Sequence, residues 1–111
     1  MGDRLGYARV STTDQDVAGQ AMRLEQAGVI KLFTDVRSGR SMDRPGLEAL
    51  LAYARKGDML TVVRLDRLGR SLAELLATVA LLKERGIELV SLEERIDTGS
   101  ASYDRSWVTT V

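Results

Sequence analysis

Pro45-Gly46-Leu47-Glu48-Ala49-Leu50-Leu51-Ala52-Tyr53-Ala54-Arg55-Lys56-Gly57-Asp58-Met59-Leu60-Thr61-Val62-Val63 is the stretch that decides the fold. Proline opens a helix well because its missing N–H falls among donors the first turn leaves unpaired anyway. Leu47, Leu50, Leu51 and Ala54 then recur at helical spacing and give one apolar face. Gly57 stops the run, since glycine takes the left-handed conformation past a helix end without a Cβ penalty. Met59 to Val63 follows as a short apolar, β-prone stretch, the form of a strand buried on both faces.

The same punctuation recurs on either side. Gly28 and Gly86 stand at equal intervals from Gly57, each behind a helix-like run and ahead of an apolar stretch, Val29 to Phe33 and Ile87 to Leu92. A further strand, Leu5 to Val10, precedes the first helix. The alternation predicts an α/β domain, a mainly parallel central sheet with helices on both faces in three layers. The first helix is expected from Asp14 to Ala27, with Val17, Ala21, Leu24 and Ala27 on its inner face. The third opens on the capping box Ser71-Leu72-Ala73-Glu74 and continues through Leu75, Leu76, Val79 and Leu82. Asp35 to Arg44, with Ser38-Gly39-Arg40-Ser41 inside it, reads as a polar loop. After Asp97 the periodicity dissolves, so one domain is expected over residues 1–98, with 99–111 a truncated or divergent tail.

Composition narrows the chemistry. A chain of 111 residues suits one domain with its own core. It has neither cysteine nor histidine, which removes disulfides, thiolate nucleophiles and ordinary zinc sites. A nucleophile here is therefore a hydroxyl or a carboxylate, and stabilisation of anionic charge falls to arginine. No apolar run approaches a membrane span, and a cytoplasmic location is expected. Net charge is zero, yet its distribution is polarised. From Arg37 to Arg70 eight bases face four acids, and from Ser71 to Asp97 three face six. Thirteen of the sixteen bases are arginine, the residue whose planar fork matches phosphate.

Two segments hold the residues able to do chemistry. Tyr7-Ala8-Arg9-Val10-Ser11-Thr12 ends a strand and leads into a helix, where free N–H groups favour an anion. Strand alternation places Tyr7, Arg9 and Ser11 on one side. Ser11 is the candidate nucleophile, although a serine in that position is more often a turn or helix-cap residue. Arg9 in a sheet buried on both faces needs an anion, either a ligand or an acid such as Asp35 or Asp66. Asp66-Arg67-Leu68-Gly69-Arg70 follows the Met59 to Val63 strand and supplies two arginines that can grip a phosphodiester. Asp66 can orient a guanidinium or carry a proton. Neither GxGxxG nor GxxxxGK[ST] is present. Asp3, Asp35 and Asp66 offer a competing reading, a metal-dependent phosphohydrolase, which leaves Arg9, Arg44, Arg67 and Arg70 without a role.

These motifs resemble the catalytic domain of the serine site-specific recombinases, the resolvase/invertase family. The likeness rests on Gly6-Tyr7-Ala8-Arg9-Val10-Ser11-Thr12, Gln15 and Gln20, Phe33-Thr34-Asp35, Ser38-Gly39, and Asp43-Arg44-Pro45-Gly46-Leu47. Lys56-Gly57-Asp58 and Leu65-Asp66-Arg67-Leu68-Gly69-Arg70-Ser71 extend it. The resemblance implies that Ser11 attacks a DNA phosphodiester, leaving a 5′-phosphoserine link and a free 3′-OH that later reverses the attack. It implies catalytic roles for Arg9, Arg44, Asp66, Arg67 and Arg70 and supporting roles for Tyr7, Gln15, Gln20 and Asp35. No metal or other cofactor is implied. The implied partners are double-stranded DNA and further copies of the full-length recombinase, as dimer and tetramer. Residues 99–111 depart from the family's long interface helix, so DNA reading and recombination by this piece alone are not expected. A degenerate, non-catalytic dimerisation or regulatory module of the same fold is the alternative.

Overall fold

The computed structural model describes residues 2–11, 17–37, 44–69 and 71–98, and only the backbone of Ser11, Val17 and Arg37. Strands β1 (Arg4–Ser11), β2 (Lys31–Arg37), β3 (Met59–Val62), β4 (Glu88–Ser91) and β5 (Ile96–Asp97) form one sheet in the order β2-β1-β3-β4-β5. Every pairing is parallel except β4 with β5. Helices α1 (Val17–Gln26), α2 (Pro45–Tyr53) and α3 (Leu72–Arg85) connect the parallel strands.

Alternation along β1 sorts the layers. Leu5 and Tyr7 pack with Leu47 and Leu50 of α2 and Leu82 of α3, together with Leu60 and Val62 of β3. Ala8, on the opposite side, packs with Leu24 of α1 and with Val63. The three layers expected from the β-α alternation are present. Each buried leucine removes enough apolar area to contribute roughly 2 kcal/mol, so the sheet's two faces supply the main stabilisation.

The helix boundaries follow the sequence logic at α3, but α2 ends at Tyr53 with Ala54 extended, so Gly57, at φ 96°, belongs to the turn before β3 rather than to the helix stop. Ser71 accepts the Glu74 N–H at 3.1 Å and starts α3. Gly86 ends it at φ 74°, a left-handed conformation that a side chain resists. Residues 12–16, expected to open the first helix, and 38–43 of the expected loop lie outside the described residues, as do 99–111.

Two further expectations are corrected, and one strand was not foreseen. Asp35 to Arg37 are not loop: β2 runs through them because β1 continues to Ser11 and pairs Arg9 with Asp35 and Ser11 with Arg37. The Asp35 side chain that suggested a loop is a buried acid on an edge strand. Leu76 is not on the inner face of α3. The buried row is Leu75, Val79 and Leu82, and Leu76 is turned away, 43% exposed. The short β5 after the Arg95 turn has no apolar signature of its own and arises from tertiary pairing with Val90 and Ser91.

The candidate functional site

The sheet order reverses direction between β1 and β3, and that is where an α/β sheet opens a crevice at the carboxyl ends of its strands. Here the crevice has a local cause. β1 pairs with β3 only from Arg4 to Gly6, while its pairing with β2 continues to Ser11. Past Gly6 the β3 side of β1 is unzipped, and side chains fill the place of the ladder. The Arg9 carbonyl accepts from Gln20 Nε2 at 3.4 Å and from Arg67 Nη1 at 3.2 Å. Two more elements are thereby tied to β1: α1 through Gln20, and the 3-10 turn Leu65–Arg67 through Arg67.

Asp35 is the organising acid. It is only 5% exposed. Its Oδ1 accepts the Gly46 N–H at 2.7 Å, and its Oδ2 accepts the Leu47 N–H at 3.0 Å and the Tyr7 hydroxyl at 2.7 Å. Arg44 at the N-cap offers α2 no side-chain cap. Asp35, from the neighbouring strand, satisfies the exposed N–H groups and the positive end of that helix instead. Fixing α2 also fixes Arg44, immediately before Pro45.

Arg44 is held on three sides. Its Nε and Nη2 donate to the Tyr7 hydroxyl, both at 3.4 Å, Nη2 also donates to the Leu68 carbonyl, and Nη1 lies 3.0 Å from Glu74 Oε1. The guanidinium carbon stands 5.5 Å from the centre of the Tyr7 ring. Tyr7 is pushed up to about 12 by burial first and by its bond to Asp35 second, with Arg44 acting in the opposite sense. It is a neutral donor at physiological pH.

Arg9, 7% exposed, meets the same acid: its Nη1 lies 3.6 Å from Glu74 Oε1. The anion that a buried strand arginine requires is thus Glu74, rather than the Asp35 or Asp66 considered from the sequence. Asp66 is elsewhere. Its side chain is 68% exposed, with Oδ1 3.4 Å from Arg64 Nε and 3.9 Å from Arg67 Nε.

Of the residues singled out in the sequence, Tyr7, Arg9, Gln20, Asp35, Arg44 and Arg67 form one connected constellation at the end of β1. Among the described residues Asp66 touches it through Arg67. Ser11 closes β1 on the same strand, with its side chain outside the described residues, as are Gln15 and Arg70 entirely. Sequence reasoning missed two acids. Glu74 was legible only as the fourth position of a capping box. Glu94 accepts the Leu65 N–H on both oxygens at 3.3 Å and anchors the turn that carries Asp66 and Arg67. Nothing in its spacing from that turn signals the contact.

Two guanidiniums, those of Arg9 and Arg44, converge on one carboxylate oxygen, Glu74 Oε1, beside the end of β1. The acids of the metal-dependent reading are dispersed. Asp3 precedes β1 at the opposite end of the sheet, with its N–H on Asp58 Oδ1, while Asp35 is committed to α2 and Tyr7. Among the described residues no group of three or more carboxylates could hold a metal ion.

Comparison with known proteins gives concordant results. The family model described as "Resolvase, N terminal domain" matches residues 4–111. The chain is 47% identical over 97 residues to the DNA-invertase hin of Salmonella typhimurium, covering 87% of this chain and 51% of that protein. It is 49% identical over 96 residues to the serine recombinase gin of Escherichia phage Mu, covering 86% and 50%. The chain thus spans about half the length of the curated relatives it matches. Among solved structures, the N-terminal catalytic domain of TP901-1 integrase superposes with a TM-score of 0.75 at 31% identity, covering 97% of this chain and 88% of that one.

Proposed function

Because the chain belongs to the resolvase N-terminal domain family of serine recombinases, we propose that it is the catalytic portion of an enzyme that cuts and rejoins DNA, with Ser11 as nucleophile. Ser11 Oγ attacks a backbone phosphorus and displaces the 3′ oxygen, giving a 5′-phosphoserine link and a free 3′-OH. The reverse attack by a 3′-OH re-forms the phosphodiester and releases Ser11. A covalent phosphoester conserves the bond energy, so the cycle needs no high-energy cofactor.

The observation that carries this reading is the convergence of Arg9 and Arg44 on a single anionic oxygen, at the end of the strand that Ser11 closes. In the attack, negative charge grows on the non-bridging oxygens, and the Arg44 guanidinium, already fixed by Tyr7 and the Leu68 carbonyl, is aimed to receive it. Arg67 and Arg70 complete the cationic set. Dense positive charge also favours the serine alkoxide, which suits a site without histidine. Asp66, open to solvent beside Arg67, is the carboxylate we assign to proton transfer. Gln20 and Asp35 act by position, the first on β1 and the second on α2.

In this reading residues 1–98 are the catalytic domain, and 99–111 begin the segment through which family members assemble. Double-stranded DNA and further recombinase copies are the partners, and the cytoplasm is the location. The test is a DNA substrate whose cut strand leaves a product too short to religate, offered to the recombinase bearing this domain. Wild type is expected to accumulate a protein–DNA adduct resistant to denaturant, and Ser11→Ala none. An adduct with Ser11→Ala would refute the assignment. A wild-type domain that assembles on DNA but never forms the adduct would establish the non-catalytic module instead.

A further inference from the structure

We infer that Glu74 is the resident anion of the phosphate site: it holds Arg9 and Arg44 in register while DNA is absent, and the incoming phosphate must displace it. The inference rests on the reading of this cleft as a phosphate site and specifies how that site is kept. Glu74 Oε1 stands 3.0 Å from Arg44 Nη1 and 3.6 Å from Arg9 Nη1. That is the position a non-bridging phosphate oxygen would take to be shared by the two guanidiniums.

The donor inventory leaves little room for a second anion. A guanidinium has five N–H groups. On Arg44, Nε and Nη2 are directed at Tyr7 and Leu68, and Nη1 is directed at Glu74. One Nη1 N–H remains on Arg44, and a phosphate oxygen shared between that side and Arg9 Nη1 would lie against the Glu74 carboxylate, where two anions repel. Glu74 also has somewhere to go. It occupies the first turn of α3, with Ser71 already accepting its backbone N–H. A capping box offers its carboxylate a second anchorage, the N–H of Ser71. Its side chain is 26% exposed, so the exit path is open to water.

Glu74 is thus a positioning residue with a cost attached. It keeps two buried cations compensated and aimed, and it competes with the substrate for them. Two effects of opposite sign follow from its removal: anion affinity rises, and the arginines lose their ordered resting geometry.

The test titrates inorganic phosphate into the 111-residue chain at fixed ionic strength and follows the side-chain N–H resonances of Arg9 and Arg44. Glu74→Gln, which keeps shape and loses charge, is compared with Glu93→Gln, which loses the same charge at an exposed pair with Arg23. Glu74→Gln is expected to bind phosphate about tenfold more tightly than wild type, a difference of about 1.4 kcal/mol. Glu93→Gln is expected to match wild type. Equal or weaker binding by Glu74→Gln than by Glu93→Gln would overturn the displacement role and leave Glu74 a purely structural acid. Should phosphate move neither arginine in any of the three folded proteins, the phosphate site itself would fall, and the inference with it. Glu74→Ala, which keeps good helix propensity, is read in the same way if the glutamine variant does not fold.

Discussion

The Tyr7 hydroxyl donates a 2.7 Å hydrogen bond to Asp35 Oδ2 across the β1–β2 pair, and through it a strand, a helix start and an arginine are set in one geometry. The same Asp35 takes the Gly46 and Leu47 N–H groups, and the same Tyr7 oxygen accepts from Arg44. Removing either partner therefore affects both the fold and the cleft. Asp35→Asn keeps the size but replaces one acceptor oxygen with a donor NH2, which must confront a backbone N–H or the phenol. The expected loss is about 2–3 kcal/mol in urea unfolding, in the range for buried hydrogen bonds to a charged group. A change below about 0.5 kcal/mol would show that the helix start does not depend on this acid.

The Tyr7 phenol gives a pH signature. Its pKa in the folded protein is raised from 10.0 to about 12, chiefly by burial and then by Asp35. A raised pKa means that the stability from the neutral phenol is fully present below pH 10, the unfolded value. It is lost as pH climbs from about 10 through about 12. Stability measured across that window should fall more steeply for wild type than for Tyr7→Phe, which has no phenol to ionise. Parallel slopes would contradict the buried donor.

Gly46 tests how closely α2 must approach the sheet. A Cβ there would come within 2.2 Å of the Thr34 carbonyl oxygen and 3.0 Å of Asp35 Oδ1. Backbone cannot yield as a flexible side chain does, so Gly46→Ala must push α2 off β2. It is expected to destabilise by about 1–3 kcal/mol and to displace Arg44. Both effects are readable as a lower denaturation midpoint and a shift of the Arg44 side-chain resonance.

Arg44 itself separates charge from geometry. Its fork serves Tyr7, the Leu68 carbonyl and an anion at the same time, which a lysine ammonium cannot do. Arg44→Lys in the recombinase bearing this domain is expected to slow adduct formation on the order of 10²-fold, with stability changed far less. Adduct formation at the wild-type rate would mean that a point charge suffices.

Much of this was readable from the chain. The helix starts at Pro45 and Ser71 and the stop at Gly86 are local events, governed by backbone chemistry within a few residues, and they stand where expected. The side on which Tyr7 and Arg9 lie follows from strand alternation alone. What stayed hidden is what depends on distant packing. Asp35 looked like a loop acid because its polarity is visible in sequence, whereas the helix end it caps is brought to it only by the β2–α2 approach. Glu74 was legible as a cap and not as a counter-ion, since its three-residue spacing from Ser71 explains it without reference to Arg9 or Arg44. Asp66 stood beside arginines in the sequence and lies beside two of them, Arg64 and Arg67, but its solvent exposure on the 3-10 turn carries no signal in the chain.

The sheet order carries a last consequence, for synthesis. The strand made first is the one flanked on both sides, by β2 and then by β3. On the ribosome its inner edge waits until Met59–Val62 has emerged, and loop closure over that distance precedes any reward from pairing. Until then the segment bearing Arg9 and Ser11 is nascent chain without its cleft.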